Sequence, residues 1–285
     1  MALSARDLVL CSGTLPRGTS FAERLAAASS AGFSAVSLWG RDVQAARDEG
    51  HSDADLRVML DDHGLQVAEL DPAWWWLPGA ADVHIAPELD PLDVFRFGEA
   101  EVFAMAEALG ARSINAVDVF GGTWTTEDAA AAFARLCGRA AERGLLVHVE
   151  WLAWSRIADL PGALAVVELA DAPNGGLNVD AWHCARAGTT LDELRRVPGP
   201  RVLAVQLDDG PAEAEADLMH ATLHDRLLPG QGDFDLAGIL GVLRDIGSSA
   251  PIGVEVFSDD LHALGARSAA RQAADATTRL LEETR

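Results

Sequence analysis

The chain contains no lysine and no tyrosine, and only 3 of its 285 residues are cysteine. Without an ε-amino group it can neither form a Schiff base nor use a lysine general base. Without a phenol it has no tyrosine acid or base. Cys11, Cys137 and Cys184 are too few and too scattered for a disulfide framework. Cys11 and Cys137 sit in apolar segments and read as small core residues. Cys184 follows a strand end and is expected to be partly exposed. Long apolar runs are also missing at the start of the chain. Met1 to Leu10 carries an acid and a base, so it reads as neither a signal peptide nor a membrane span. A cytoplasmic protein is expected.

Positive charge is scarce. All 22 basic residues are arginine, against 44 acids, for a net charge of -22. Such a chain repels phosphate backbones, which disfavours nucleic acid as a partner. A small-molecule substrate is expected instead, bound by a monomer or small homo-oligomer. Hydrophobic residues make up 49% of the chain, enough for a large core.

What is present is a repeat of short apolar runs followed by amphipathic stretches. Strands are expected at 8–12, 35–39, 66–70, 113–117, 146–151, 176–180, 202–207 and 252–257. Helices are expected at 21–31, 53–63, 97–109, 127–143, 162–170, 190–196, 236–246 and 263–281. In the fourth helix Ala130, Phe133, Ala134, Cys137 and Ala141 fall on one face. Strands alternating with helices predict βαβ crossovers and a parallel sheet. A doubly wound open sheet usually carries a Gly-rich phosphate loop after its first strand. The loop here, Ser12-Gly13-Thr14-Leu15-Pro16-Arg17-Gly18, matches neither phosphate-loop pattern. The expectation is α/β, a single (β/α)8 TIM barrel over residues 1–285. Two long loops, about 71–95 and 208–235, follow strands, where barrel active sites are built.

Consecutive strands five to eight end with groups that can ligate a metal: Glu150, Asp180, Gln206 and Glu255. Burying three carboxylates together is costly through desolvation and repulsion, and a divalent ion removes that cost. Three carboxylates and an amide oxygen favour Mn²⁺ or Mg²⁺, with Co²⁺ or Zn²⁺ as alternatives. The plainer reading is that each acid caps a helix or forms an ion pair. Alternation puts His148 one layer below Glu150, as a buried support for it. His220 and His224 stand four apart in the second long loop, where solvent or substrate contact is expected ahead of ligation.

The segments Ala31-Gly32-Phe33-Ser34-Ala35-Val36-Ser37, His148-Val149-Glu150, Asn178-Val179-Asp180-Ala181-Trp182-His183, Val205-Gln206-Leu207-Asp208-Asp209-Gly210, Arg226-Leu227-Leu228-Pro229-Gly230-Gln231-Gly232-Asp233 and Gly253-Val254-Glu255-Val256-Phe257-Ser258 together resemble the xylose isomerase-like TIM barrel superfamily, in particular its sugar phosphate isomerase/epimerase branch. The resemblance covers nearly the whole chain. It implies that Glu150, Asp180, Gln206 and Glu255 hold the metal. It further implies that Glu150 and Glu255 also move the substrate proton, that His183 binds a substrate oxygen near the metal, and that Arg226 holds an anionic or hydroxyl group. Many members have His where this chain has Gln206.

The 8 tryptophans map near expected strand ends or the loops after them. Large rings can simply plug the barrel mouth. The functional reading takes Trp39, Trp75, Trp124 and Trp182, with Asp208, as substrate contacts. The run Trp74-Trp75-Trp76 on a lid-length loop suits a bulkier substrate than a simple sugar phosphate. The expected activity is a divalent-metal-dependent isomerase or epimerase acting by proton abstraction on a sugar-like or polyhydroxylated substrate. A lyase on the same scaffold (dehydratase or C-glycoside deglycosidase) and a non-catalytic binding protein on a degenerate barrel stay open. A DNA-repair nuclease is opposed by the charge and by the lack of a multi-histidine metal set.

Overall fold

The computed structural model describes residues 3–80, 92–119 and 122–284. Its strands are β1 Leu8–Leu10, β2 Ala35–Trp39, β3 Gln66–Ala73, β4 Ser113–Val117, β5 Leu146–Glu150, β6 Gly175–Asp180, β7 Val202–Leu207 and β8 Ile252–Val254. They close in sequence order into one parallel barrel, with β1 bonded to both β2 and β8. The (β/α)8 expectation holds.

The outer helices are α1 Phe21–Ala31, α3 Asp53–Asp62, α4 Glu99–Leu109, α5 Thr126–Ala141, α6 Leu160–Ala170, α8 Leu191–Leu194, α10 Leu236–Asp245 and α12 Ala266–Glu283. Local chemistry starts and stops them. Ser52 and Asp55 cap α3 reciprocally, as Thr125 and Asp128 cap α5 and Thr190 and Glu193 cap α8. Helix α1 ends on Gly32 at φ 87°, a left-handed conformation that a Cβ disfavours. Helix α12 turns Ala266, Ala269, Ala270, Ala273, Ala274 and Thr277 inward at helical spacing, so its small side chains let it pack closely onto the barrel beside α1.

Among the described residues four further α-helices lie outside the sequence expectation: α2 Gly40–Asp48, α7 Ala181–Arg186, α9 Leu218–His224 and α11 Asp259–His262. All are short and sit at the C-terminal rim. Cys184 lies on α7 and is buried, correcting the expectation of partial exposure; Cys11 and Cys137 are buried as expected. Strand β3 runs on to Ala73 through a cis Asp71–Pro72 peptide, so the first long loop starts three residues later than expected. Residues 81–91 of that loop lie outside the described residues. Among the described residues no helix is long and apolar enough to cross a membrane.

Candidate active site

Barrel register sets the floor of the site. Asp180 of β6 pairs with Gln206 of β7, and Gln206 with Gly253 of β8. Glu150 ends β5 beside Val117 of β4. Glu255, just beyond β8, bonds through its N–H to Leu207 O at 3.1 Å. On the other side, Trp39 of β2 pairs with Asp71 of β3. A narrow cavity of about 80 Å³ opens over these ends, with Asp71, Glu150, His183, Arg226 and Glu255 as its ionisable lining. A larger groove of about 730 Å³ lies at the opposite end, between α10 and α12, but no acid or histidine lines it. The acids and the histidine therefore gather at the smaller cavity.

Asp180 is fully buried and both its oxygens are engaged. Oδ1 accepts from the backbone N–H of Trp182 at 2.6 Å and of His183 at 3.3 Å, capping α7. Oδ2 accepts from Arg226 Nη1 at 3.0 Å. The plainer reading of this acid, helix cap and ion pair, is thus met in full. Arg226 also bonds Asp208 Oδ2 at 2.6 Å and Thr222 O at 3.0 Å, and lies 3.7 Å from Glu255 Oε2. One cation thereby serves three buried acids.

Electrostatics follow from that imbalance. Burial pushes the Glu150 carboxyl well above its usual range, with Asp180 and Glu255 adding to the rise. Burial does the same to Glu255, where Arg226 only partly offsets Asp71 and Asp180, and to Asp208 beside Asp180. Burial would also raise Asp180, but Arg226 and the His183 side holds it below the usual value. Asp71 is pushed up to about 7 by burial and then by Glu69. His183 is lowered to about 4, chiefly by burial.

A deeper polar layer holds these groups. Asn115 of β4 donates through Nδ2 to Glu150 Oε2 at 2.5 Å and to Asp71 Oδ1 at 3.0 Å. Its Oδ1 faces His148 Nδ1 at 3.0 Å, and His148 Nε2 meets Glu69 at 3.0 Å. His148 is therefore buried one layer down, joined to Glu150 through Asn115. Asn178, two residues before Asp180, donates to Gln206 Oε1 at 2.6 Å.

Ligand atoms of Glu150, Asp180 and His183 lie within 4.8 Å of one another. That set brings in His183 and leaves out Glu255. The backbone N–H of Ala153 points at His183 Nδ1 at 3.3 Å, so Nδ1 is the acceptor and Nε2 carries the proton. A protonated Nε2 faces Glu150 Oε1 at 3.8 Å, which suits a donor better than a ligand. The donor chemistry fits a divalent cation: Glu150 and Glu255 reach the cavity as raised, under-compensated carboxyls, and Asp208 Oδ1 has no partner among the described residues.

The tryptophans divide. Trp39 lines the cavity and donates to Asp71 at 2.8 Å. Trp75 is turned to Glu99, Trp124 lies under the Arg156 guanidinium, and Trp182 is fully buried with its N–H on Thr222; none of these lines the cavity. Trp76 packs on Phe133 in the core. Asp208 is likewise beneath the surface, on Arg226. His220 and His224 stack at 4.6 Å on α9, outside the cavity lining. Asp71, Asn115 and Trp154 were not anticipated. The alternation Glu69–Asp71 and a lone asparagine inside an apolar strand were the available signals for the first two.

The xylose isomerase-like TIM barrel model matches residues 25–282. A 3-dehydroshikimate dehydratase of Pseudomonas aeruginosa is 30% identical over 280 residues, which cover 97% of this chain and 41% of that protein. The chain thus spans about two fifths of the length of that curated relative. An inosose isomerase of Bacillus subtilis is 30% identical over 115 residues, 40% of each chain. A crystal structure of the IOLI protein with a binding zinc atom superposes with a TM-score of 0.82 at 19% identity, over 98% of this chain and 99% of that one, a likeness of fold. With the barrel, the converging acids and the match over nearly its full length, the chain belongs to the xylose isomerase-like TIM barrel family.

Proposed function

We propose that this chain is a divalent-metal-dependent enzyme that removes a proton from carbon beside an oxygenated carbon of a polyhydroxylated substrate. The observation that carries the reading is that Glu150 and Glu255 line one buried cavity while Asp180 lies buried beside Glu150, with Arg226 as the cation that Asp180 and Glu255 share. Glu150, Asp180, Gln206 and Glu255 are assigned to hold the metal, as the sequence order of strand ends suggests. Mn²⁺ or Mg²⁺ suits these oxygens, and the zinc carried by the IOLI protein keeps Zn²⁺ in the set. When bound, a divalent cation offsets the carboxylate charge and draws electrons from a substrate oxygen, which acidifies the neighbouring C–H.

The chain's own groups do the rest. Glu150 and Glu255 flank the cavity, one to take the proton from carbon and the other to deliver one. Return of the proton to a neighbouring carbon, or to the opposite face, gives isomerisation or epimerisation. If the hydroxyl on the next carbon leaves with a proton from the second glutamic acid, the product is an alkene and water. His183 donates its Nε2–H to the substrate oxygen while staying neutral, because its own proton affinity is low. Arg226 holds Asp180 in place and reaches the cavity edge. The apolar wall of Trp39, Phe257 and Val117 suits a substrate with an apolar face.

Dehydration has its own support, since the dehydratase relative aligns over 97% of this chain and the isomerase over 40%. The test is metal analysis of the purified protein, then a screen of keto sugars, inososes, 3-dehydroshikimate and aryl glycosides in deuterated water. Deuterium in recovered substrate or product supports proton abstraction, and loss of water separates lyase from isomerase. Metal-loaded Glu255→Gln is expected to lose turnover by about 10²–10⁴-fold. A fully active variant, or a protein that binds no divalent ion, overturns the reading.

A further inference from the structure

The metal-side residues all come from β5 to β8 and the loops after them. The facing half of the cavity, built by β2 to β4 and the chain after them, is apolar with one exception. Among the described residues Asp71 is the ionisable side chain that this half contributes to the lining. Its position is built rather than incidental. Trp39 Nε1 donates to Oδ2 at 2.8 Å and Asn115 Nδ2 donates to Oδ1 at 3.0 Å. Each oxygen thus spends one lone pair on the protein and keeps acceptor capacity for the cavity. Both donors are themselves fixed. Trp39 stacks on Phe257 with centroids 5.9 Å apart, and Asn115 is held by His148.

Among the described residues no cation on the Asp71 side offsets it. Arg226 is committed to Asp180, Asp208 and Thr222, and Arg186 to Glu215 and Pro211 O. Arg41 lies over the Trp39 ring and donates to Leu92 O, with Asp42 close by. An anionic substituent on this side would face a carboxylate in a low-dielectric cavity, whereas a hydroxyl would find a strong acceptor. We propose that Asp71 is a specificity-determining residue that accepts a hydrogen bond from a substrate hydroxyl remote from the metal and selects uncharged polyhydroxyketones over carboxylate-bearing ones. The inference rests on the cavity being the substrate site, as proposed above.

The experiment compares an inosose, which is neutral, with 3-dehydroshikimate, a cyclic ketone bearing a carboxylate. Metal-loaded protein is used at pH 8.5, where Asp71 is ionised. Binding is read by calorimetry and turnover by deuterium exchange. The wild type is expected to bind the inosose at least tenfold more tightly. Asp71→Asn and the smaller Asp71→Ser are expected to shrink that ratio at least tenfold, through KM more than kcat, with thermal unfolding checking that each variant is folded. Equal affinity for both probes, preference for the carboxylate, no binding of either, or an unchanged ratio in both folded variants overturns the role. Selective binding that Asp71 controls, without any exchange or turnover, sustains the role while sinking the proposed reaction.

Discussion

The backbone N–H of Ala153 and Nδ1 of His183 form a hydrogen bond of 3.3 Å, which fixes the tautomer of the one imidazole that lines the cavity among the described residues. A loop residue after β5 thereby sets which ring nitrogen of a side chain on α7 carries the proton. Burial holds the ring neutral down to about pH 4, so Nε2–H is a donor throughout the range in which enzymes ordinarily work.

That state is directly observable. In the metal-free protein, ¹⁵N spectra of His183 should show a pyridine-like Nδ1 and a pyrrole-like Nε2, unchanged from pH 8 down to pH 5. The ordinary imidazole value of 6.5 would place half-protonation inside that range, and the value of about 4 places it below. A titration midpoint near 6.5, or the opposite tautomer, would remove His183 as a neutral donor.

Metal removal should destabilise the fold as well as silence it. Burial and mutual repulsion raise Glu150 and Glu255, which a bound cation would relieve. Ligand binding to the native state alone adds about 2.7 kcal/mol at a hundredfold excess over Kd. Dialysis against a chelator should lower Tm by several degrees, and readdition of Mn²⁺ or Mg²⁺ should restore it. An unchanged Tm across that cycle, with metal content verified, would argue that Arg226 alone balances the acids.

How much of this could be read beforehand depended on whether the signal was local. Strand and helix positions were legible because spacing, capping pairs such as Thr125–Asp128 and a left-handed Gly32 act within a few residues. The acids at strands five, six and eight were legible because a charge ending an apolar run stands out. Asp71 was not, because the apolar run ends at Leu70 and only tertiary pairing carries β3 on through Pro72. Tryptophan direction was equally non-local. Trp154 faces the cavity while Trp75 turns to Glu99, and nothing in their neighbours along the chain distinguishes them. Arg226 was legible as a site residue, yet its commitment to Asp180 and Asp208 depends on the chain after α9 meeting the ends of β6 and β7 in space.

Asn115 should matter to metal affinity although it touches no ligand position in sequence. Its amide fixes Glu150 and Asp71 together, and His148 fixes its flip. Supporting groups of this kind typically change metal affinity 10–100-fold. Asn115→Leu should raise the Mn²⁺ Kd by that factor in calorimetry. An unaltered Kd in a folded variant would mean that Glu150 finds its pose without help.

The last expectation concerns stability far from the acids. Arg24 of α1 is buried, and its Nη2 bonds Asp42 Oδ1 at 3.1 Å while its Nε and Nη1 have no partner among the described residues. Asp42 in turn accepts from Ser12 Oγ at 2.8 Å and from Trp39 N at 3.1 Å, tying the β1 loop, the end of β2 and α2 together. Removing the carboxylate strands a guanidinium without a counter-charge, which costs about 3–5 kcal/mol in comparable buried pairs. Asp42→Ala should lower urea stability by that amount. Arg24→Met combined with Asp42→Ala should recover much of it, because the penalty of the first change is the orphaned charge rather than a lost attraction. If the double variant is as unstable as the sum of the singles, the pair is uncoupled and Asp42 acts only through Ser12 and the Trp39 amide.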